Sequence, residues 1–281
     1  MKGDMPEAGL ANGMTGMPVQ RTLAVRRWVH GTVTAMDDQL AEEVPVALEY
    51  NGISHAVMLA TPADLEDFAI GFSLTEGIVG RVGDIYGIDM KAAESGITLR
   101  ISIASAAFAE LKARRRALAG RTGCGLCGTE SLDHVLRIPP RIESTTVLHP
   151  AAFERAFSEL HASQALLHDT GATHAAAWMR ADGEVTIVRE DVGRHNALDK
   201  LAGALARSNE DRASGATIVT SRASYEMVLK TASIGTGILA AVSGPTGLAV
   251  RLAEAVGVTL VGFVRNGSLV VYAHPQRLRF L

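Results

Sequence analysis

Residues 216–273 read ATIVTSRASYEMVLKTASIGTGILAAVSGPTGLAVRLAEAVGVTLVGFVRNGSLVVYA, and this stretch decides the fold class. The runs ATIVTS, ILAAVS, TLVGFV and LVVYA have the apolar, β-branched composition of short buried strands. Helical stretches near 224–234 and 246–256 separate the first three. Buried strands alternating with helices predict a mostly parallel or mixed α/β sheet in this half of the chain. Open α/β sheets place ligands beyond the carboxyl ends of their strands. Gly262-Phe263-Val264-Arg265-Asn266-Gly267 therefore draws interest, with one arginine ending an apolar strand. Thr220-Ser221-Arg222-Ala223-Ser224-Tyr225-Glu226 and Ser243-Gly244-Pro245-Thr246-Gly247 each follow a strand and enter a helix, where serine and backbone donors can hold phosphate. Turn and capping duty explains both equally well. Neither contains GxGxxG or GxxxxGK[ST], so conventional dinucleotide or P-loop binding is not supported.

Working upstream, Arg189-Glu190-Asp191-Val192-Gly193-Arg194-His195-Asn196, followed by Asp199-Lys200, is a dense polar cluster at the entrance to a helix. Its acids can cap that helix and pair with the arginines. Alternatively it forms a pocket for an anion or nucleotide, with arginine on phosphate and Asp or Asn on a base edge. Asp191 and His195 have the four-residue spacing of a hydrogen-bonded acid–base pair, a weak catalytic signal. Before the cluster, a helix from about Ala151 to His168 carries Phe153, Ala156, Phe157 and Leu160 along one face.

Pro139-Pro140 marks a boundary between an N-terminal α/β portion, 21–138, and a C-terminal α/β domain, 139–281. Residues 1–20 read as a loose tail. Short strand-like runs follow, and Val44–Tyr50 and His55–Leu59 flank Asn51-Gly52, a pair suited to a type I′ hairpin. Thr61 is the expected N-cap of a helix with Pro62 at its first position and Leu65, Phe68, Ala69 and Phe72 inward. Two strands are expected over 81–106, then a helix over Ala107–Leu118 whose KARRR run at 112–116 is either a solvated face or a basic wall beside an anion.

The strongest local feature is Gly123-Cys124-Gly125-Leu126-Cys127-Gly128, inside a loop at 121–130. Two thiols three residues apart can exchange a disulfide, form one edge of a metal site, or pass a sulfur atom between them. The glycines remove bulk around both sulfurs, and Arg121 would favour a thiolate if it approached. Zinc is the rival, but a structural site wants four ligands and no second CxxC exists; His134, His168, His174 and His195 are the remaining candidates.

Composition narrows the rest. The 281 residues carry a net charge of −3, with 47% hydrophobic and 20% charged, which excludes a disordered or fibrous chain and does not suggest a general nucleic-acid binder. Two cysteines cannot make a disulfide-rich scaffold. GxSxG, HExxH and HxE…PCxxC are absent. The first twenty residues resemble neither a signal peptide nor an anchor, so a soluble cytoplasmic protein is expected.

Taken together, GCGLCGTESL at 123–132, TGATHAAAW at 170–178, REDVGRHNALDKL at 189–201, SRASYEMVLKTA, AVSGPTGLAV and the terminal GFVRNG…VVYAHP resemble the FdhD family of formate dehydrogenase accessory sulfurtransferases. The resemblance spans roughly residues 20–281. It implies a cytoplasmic homodimer whose larger domain is similar to cytidine deaminase without its zinc chemistry. It implies that persulfide sulfur is received from a cysteine desulfurase and passed to the molybdenum bis-guanine-dinucleotide cofactor of formate dehydrogenase. GDP is expected to bind as a mimic of that cofactor, with no structural metal, nucleic acid or membrane partner. The motif match makes Cys124 the persulfide cysteine and Cys127 its companion. The FVRNGS stretch, Phe263, Val264, Arg265, Asn266, Gly267 and Ser268, matches the segment assigned to cofactor binding. Arg189, Arg194, Arg222 and Arg265 are the candidate phosphate donors, and His195 and Asn196 candidates for orienting the nucleotide. Thr220-Ser221-Arg222, Gly171-Ala172 and Asn266 depart from the glycines common in relatives. The rival of another class is a non-catalytic metal-binding or escort protein. A thiol–disulfide oxidoreductase is a further alternative, disfavoured because no thioredoxin-like pattern surrounds the cysteines.

Overall fold

The computed structural model describes residues 16–119 and 138–280. Strands β1 (Gln20–Val29) and β2 (Thr32–Ala41) pair only with each other, as a long antiparallel hairpin. Next come β3 (Val44–Tyr50) and β4 (Ile53–Ala60), helix α1 (Leu65–Thr75), β5 (Ile85–Ala93), β6 (Gly96–Ile103) and helix α2 (Ser105–Ala119). The four strands form a sheet of order β4-β3-β6-β5 in which only β3 and β6 run parallel. The second half contains α3 (Pro150–Ser163), α4 (Ala165–Thr170), β7 (His174–Met179), β8 (Val185–Asp191), α5 (Arg194–Arg207), β9 (Ala216–Val219), α6 (Tyr225–Ser233), β10 (Ile238–Ala241), α7 (Gly247–Val256), β11 (Thr259–Arg265) and β12 (Ser268–Ala273). Its sheet has the order β12-β11-β10-β9-β7-β8, with β9, β10 and β11 parallel. The fold is thus mixed α/β.

Strand alternation distributes the core of the six-stranded sheet. Ala175, Ala177 and Met179 of β7 face one layer, with Phe153, Ala156 and Leu160 of α3. Ala176 and Trp178 face the other, with Leu198 and Leu201 of α5, Met227 of α6 and Leu252 of α7. The four-stranded sheet has its own core, in which Val46, Leu48, Tyr50, Ile97, Leu99 and Ile101 pack against Phe68 and Phe72 of α1.

Helix α1 is buried along nearly its whole circumference, because α5 covers the side that its own sheet does not. A Cβ on Gly71 would lie 1.7 Å from the Asp199 carbonyl oxygen, and one on Gly203 1.9 Å from that of Asp67. Only glycine on both helices permits this approach.

The Asn51-Gly52 hairpin forms as the sequence predicts, both residues having positive φ, 46° and 83°. Three expectations are corrected. The segment 21–41, expected as short strand-like runs, is part of one long antiparallel hairpin that begins at Gln20; of the tail expected over 1–20, residues 1–15 lie outside the described structure. Helix α1 begins at Leu65 with Asp64 as its cap residue, not at Thr61. Thr61 is committed to a different task, since its N–H donates to Asp191, its hydroxyl accepts from Val192 N–H and its carbonyl accepts from Lys200 Nζ. The helix expected over 151–168 is two helices, broken at Gln164 (ψ 77°).

Gly71→Ala is expected to cost roughly 3 kcal/mol or to prevent folding, because backbone rather than a movable side chain meets the new methyl. Gly80→Ala, with open space around it, is the matched control. Thermal denaturation of the two variants checks this.

Candidate functional site

The topology brings every segment that follows a parallel strand of the six-stranded sheet to one edge. Thr220–Ser224 leave β9, Val242–Thr246 leave β10, and Arg265–Ser268 join β11 to β12; His174 opens β7 and Asp191 closes β8 at the same edge. A cavity of about 630 Å³ lies there, in the range of a small-molecule site. Its floor is apolar, with Leu160, Leu167, Val242, Val264 and Leu269. Thr220, Arg265, Asn266, Gly267 and Ser268 supply polar groups from the sheet, and Glu154, Ser158 and His161 from α3.

The β11–β12 turn is shaped by backbone. Asn266 and Gly267 have φ of 52° and 69°, the two left-handed positions of a type I′ turn. Asparagine tolerates that conformation, so the departure from glycine at 266 keeps the turn. Phe263 is also left-handed, with φ 54°, and the ladder shifts register between Gly262 and Arg265. Regular strands send successive side chains to opposite faces. The irregularity instead lets neighbouring Val264 and Arg265 both line the cavity. Phe263 does not line it. Its ring packs over Gly244, where a Cβ would come within 2.7 Å, and the Arg265 guanidinium carbon sits 5.6 Å from its centroid.

The polar cluster at 189–196 divides between two tasks. The Arg189 guanidinium holds Asp67 of α1 through contacts of 2.7 and 2.9 Å, away from the cavity. Glu190 accepts from Leu166 N–H, Leu167 N–H and the Thr173 hydroxyl. Asp191, fully buried, meets Lys200 Nζ at 2.7 Å, and Asn196 donates to the Leu59 carbonyl and to Asp191. Arg189, Asp191 and Asn196 thereby tie the two halves together, through Asp67, Thr61 and Leu59. Arg194 and His195 belong instead to the edge. Arg194 Nε and His195 Nε2 are inaccessible to solvent and have no hydrogen-bond partner among the described residues. His195 Nε2 lies 4.0 Å from the Glu226 carboxylate. Burial, and then the Arg194 charge, lower the pKa of both His174 and His195 below the ordinary histidine value. Arg222 is exposed on the β9–α6 connection.

Reading the residues of α3 only as a core face overlooks the cavity's opposite wall. Glu154, Ser158 and His161 sit at helical spacing beside the buried Phe153–Ala156–Leu160 stripe, and that polar stripe is the available signal. Gln164, also lining the cavity, is 1% exposed and its Nε2 has no partner among the described residues. A buried donor without a partner is costly, which fits a pocket wall that meets a polar ligand. Cys124, Cys127 and the loop 121–130 lie outside the described residues. Among the described residues no group of His, Cys, Asp and Glu is placed to hold a metal ion, and no helix is long and apolar enough to cross a membrane.

A mixed α/β chain with a ligand-sized cavity at the carboxyl edge of its parallel strands belongs to a broad structural class; sequence comparison narrows it. Residues 41–279 match the FdhD/NarQ family, and the chain belongs to that family. It is 65% identical over 269 residues to the "Sulfur carrier protein FdhD" of Cupriavidus necator, covering 96% of this chain and 93% of that one. The protein of the same name from Bordetella petrii is 58% identical over 257 residues, 92% of each chain. A crystal structure from Desulfotalea psychrophila, described as a candidate formate dehydrogenase accessory protein, superposes with a TM-score of 0.73 at 25% identity, over 93% of this chain and 100% of that one.

The histidines give a signed pH prediction. Their folded pKa lies below the unfolded value of about 6.5, so between the two the unfolded chain binds more protons. Stability is then fully present above pH 6.5 and falls as pH drops through the folded pKa. Denaturation of the wild type and of a His174→Gln/His195→Gln variant between pH 8 and 5 should give a shallower acid loss in the variant.

Proposed function

We propose that this chain is a sulfur carrier that accepts persulfide sulfur from a cysteine desulfurase and transfers it to the molybdenum bis-guanine-dinucleotide cofactor required by formate dehydrogenase. The observation that carries the reading is the cavity walled by Val264–Ser268 in a chain of this family, the stretch to which the family resemblance gives the cofactor-binding role. The Cys124 thiolate attacks the terminal sulfur of the donor persulfide. A new S–S bond forms as the donor's breaks, and the donor leaves as a thiolate, so no oxidant is consumed. Attack by Cys127 on the Cys124 sulfur then releases the terminal sulfur as hydrosulfide to the acceptor, leaving a Cys124–Cys127 disulfide that an external thiol reduces.

The nucleotide arm of the cofactor occupies the cavity in this reading. Arg265 meets phosphate, the apolar floor takes the flat face of the base, and Thr220, Ser268 and Gln164 supply neutral donors. Arg194, His195 and Arg222 stand along the same edge and bound the path of the remaining phosphates. Arg189 and Asn196 act one step removed, by fixing the joint on which the edge is mounted. The mixed six-stranded sheet supports the deaminase-like description of the larger domain. Exposed Trp28 and Val33 on the β1–β2 hairpin support a homodimer, and a cytoplasmic location suits thiol chemistry.

Intact mass under non-reducing conditions tests the carrier step. Reduced protein treated with a cysteine desulfurase and cysteine should gain the mass of one sulfur atom, reversed by dithiothreitol and lost in Cys124→Ala. No adduct on the wild type, with stoichiometric zinc bound instead, would replace the carrier by the metal-binding escort.

A further inference from the structure

The cavity is lined by one carboxylate and one guanidinium, Glu154 and Arg265. Glu154 lies on the α3 wall, facing the β11–β12 turn. Its Oε1 is 3.8 Å from the position that a Cβ would take on Gly267. With glycine there, no side chain separates the carboxylate from the turn. Other acids near this edge are engaged: Glu190 accepts from three donors, and Glu226 accepts from the Ser224 hydroxyl. Glu154 makes no hydrogen bond or ion pair with the described residues.

An ionised carboxylate is an acceptor only, with two oxygens side by side. Its complement is a pair of adjacent N–H donors. On its hydrogen-bonding edge adenine alternates a donor amine with an acceptor nitrogen, and cytosine and uracil likewise offer a donor only beside acceptors. Guanine alone places a ring N–H next to an exocyclic amine. We propose that Glu154 reads the base of the bound nucleotide and selects guanine by accepting from those two groups. This rests on the reading that the cavity holds a nucleotide, and it adds a specificity-determining residue outside the FVRNGS segment. Arg265 on the opposite wall supplies the positive charge for phosphate, so base and phosphate are drawn to different groups. A lone carboxylate in a site for a polyanion would otherwise only weaken binding.

The test is equilibrium binding of GDP, ADP, inosine diphosphate and xanthosine diphosphate to the full chain and to Glu154→Gln and Arg265→Ala. Glu154 is exposed on a helix surface, so Glu154→Gln should fold; its melting temperature confirms this. The wild type should prefer GDP to ADP by about 10- to 100-fold, the worth of two charge-assisted hydrogen bonds at a partly solvated site, with inosine diphosphate between them for want of the amine. Glutamine keeps an acceptor for the ring N–H but turns a donor toward the amine. Glu154→Gln should therefore lose GDP and gain xanthosine diphosphate, whose base carries a carbonyl at that position. Arg265→Ala should weaken all four ligands without reordering them. If GDP binding depends on Arg265 but Glu154→Gln leaves the order of bases unchanged, the proposal is overturned while the nucleotide site stands. If the wild type binds none of the four, both fall together.

Discussion

The crossing of α1 and α5 is the constraint from which the rest of the structure follows. Gly71 and Gly203 bring the two backbones into contact, and that contact joins a four-stranded sheet to a six-stranded one through a helix buried on both sides. Close backbone approach leaves polar groups in the joint that must be paired. Asp67 is shared by Arg189 and Arg207, at 2.7 and 3.0 Å. Lys230 meets Asp199, Glu76 and the Thr75 hydroxyl. Burial works against the Lys230 charge, but the Asp199 and Glu76 carboxylates outweigh it and hold its pKa above the ordinary lysine value. Lys200 and Asp191 form a second buried pair, beneath Thr61. Breaking one partner of such a pair strands a buried charge, at a cost of about 3–5 kcal/mol. The links from Asp67 to Arg189 and Arg207, from Glu76 to Lys230 and from Thr61 to Asp191 and Lys200 each join one half to the other.

Much of this was legible in the sequence because its signals are local. The hairpin at Asn51-Gly52 and the alternation of strands and helices after residue 215 each depend on neighbours in the chain. The joint was not legible. Arg189, Asp191 and Asn196 have the composition of a ligand pocket, and only the position of α1, more than a hundred residues earlier, shows that Asp67, Thr61 and Leu59 are their partners. Thr61-Pro62 has the pattern of a helix start, yet tertiary bonds to Asp191 and Lys200 claim the threonine. The α3 wall was hidden for a related reason. A helix read for its apolar stripe gives no notice that the adjacent polar stripe faces a sheet edge folded from residues 220–269.

Joint and cavity are connected by one element. Helix α5 starts at the sheet edge with Arg194 and His195, passes Lys200, and reaches the crossing at Gly203 within three turns. Its first residues stand at the same edge of the sheet as the cavity, and its middle is fixed against α1. The position of Arg194, whose charge adds to burial in lowering the pKa of His174 and His195, is set by a helix that is anchored at its far end against α1. Substitutions at the crossing act on the edge through geometry, without touching a ligand.

The left-handed Phe263 shows how the cavity is maintained at the other end of the sheet. An aromatic residue in that conformation costs roughly 1–3 kcal/mol and persists only where its surroundings enforce it. Here Gly244 gives the ring a flat surface, Phe263 N–H donates to the Ser243 carbonyl, and the Arg265 guanidinium lies over the ring. Relaxing residue 263 to ordinary strand geometry would restore alternation and turn either Val264 or Arg265 out of the cavity. The strain at one residue therefore places two consecutive side chains in the same wall, one apolar against the floor and one charged at the rim. A regular strand, which sends successive side chains to opposite faces, cannot present that pair.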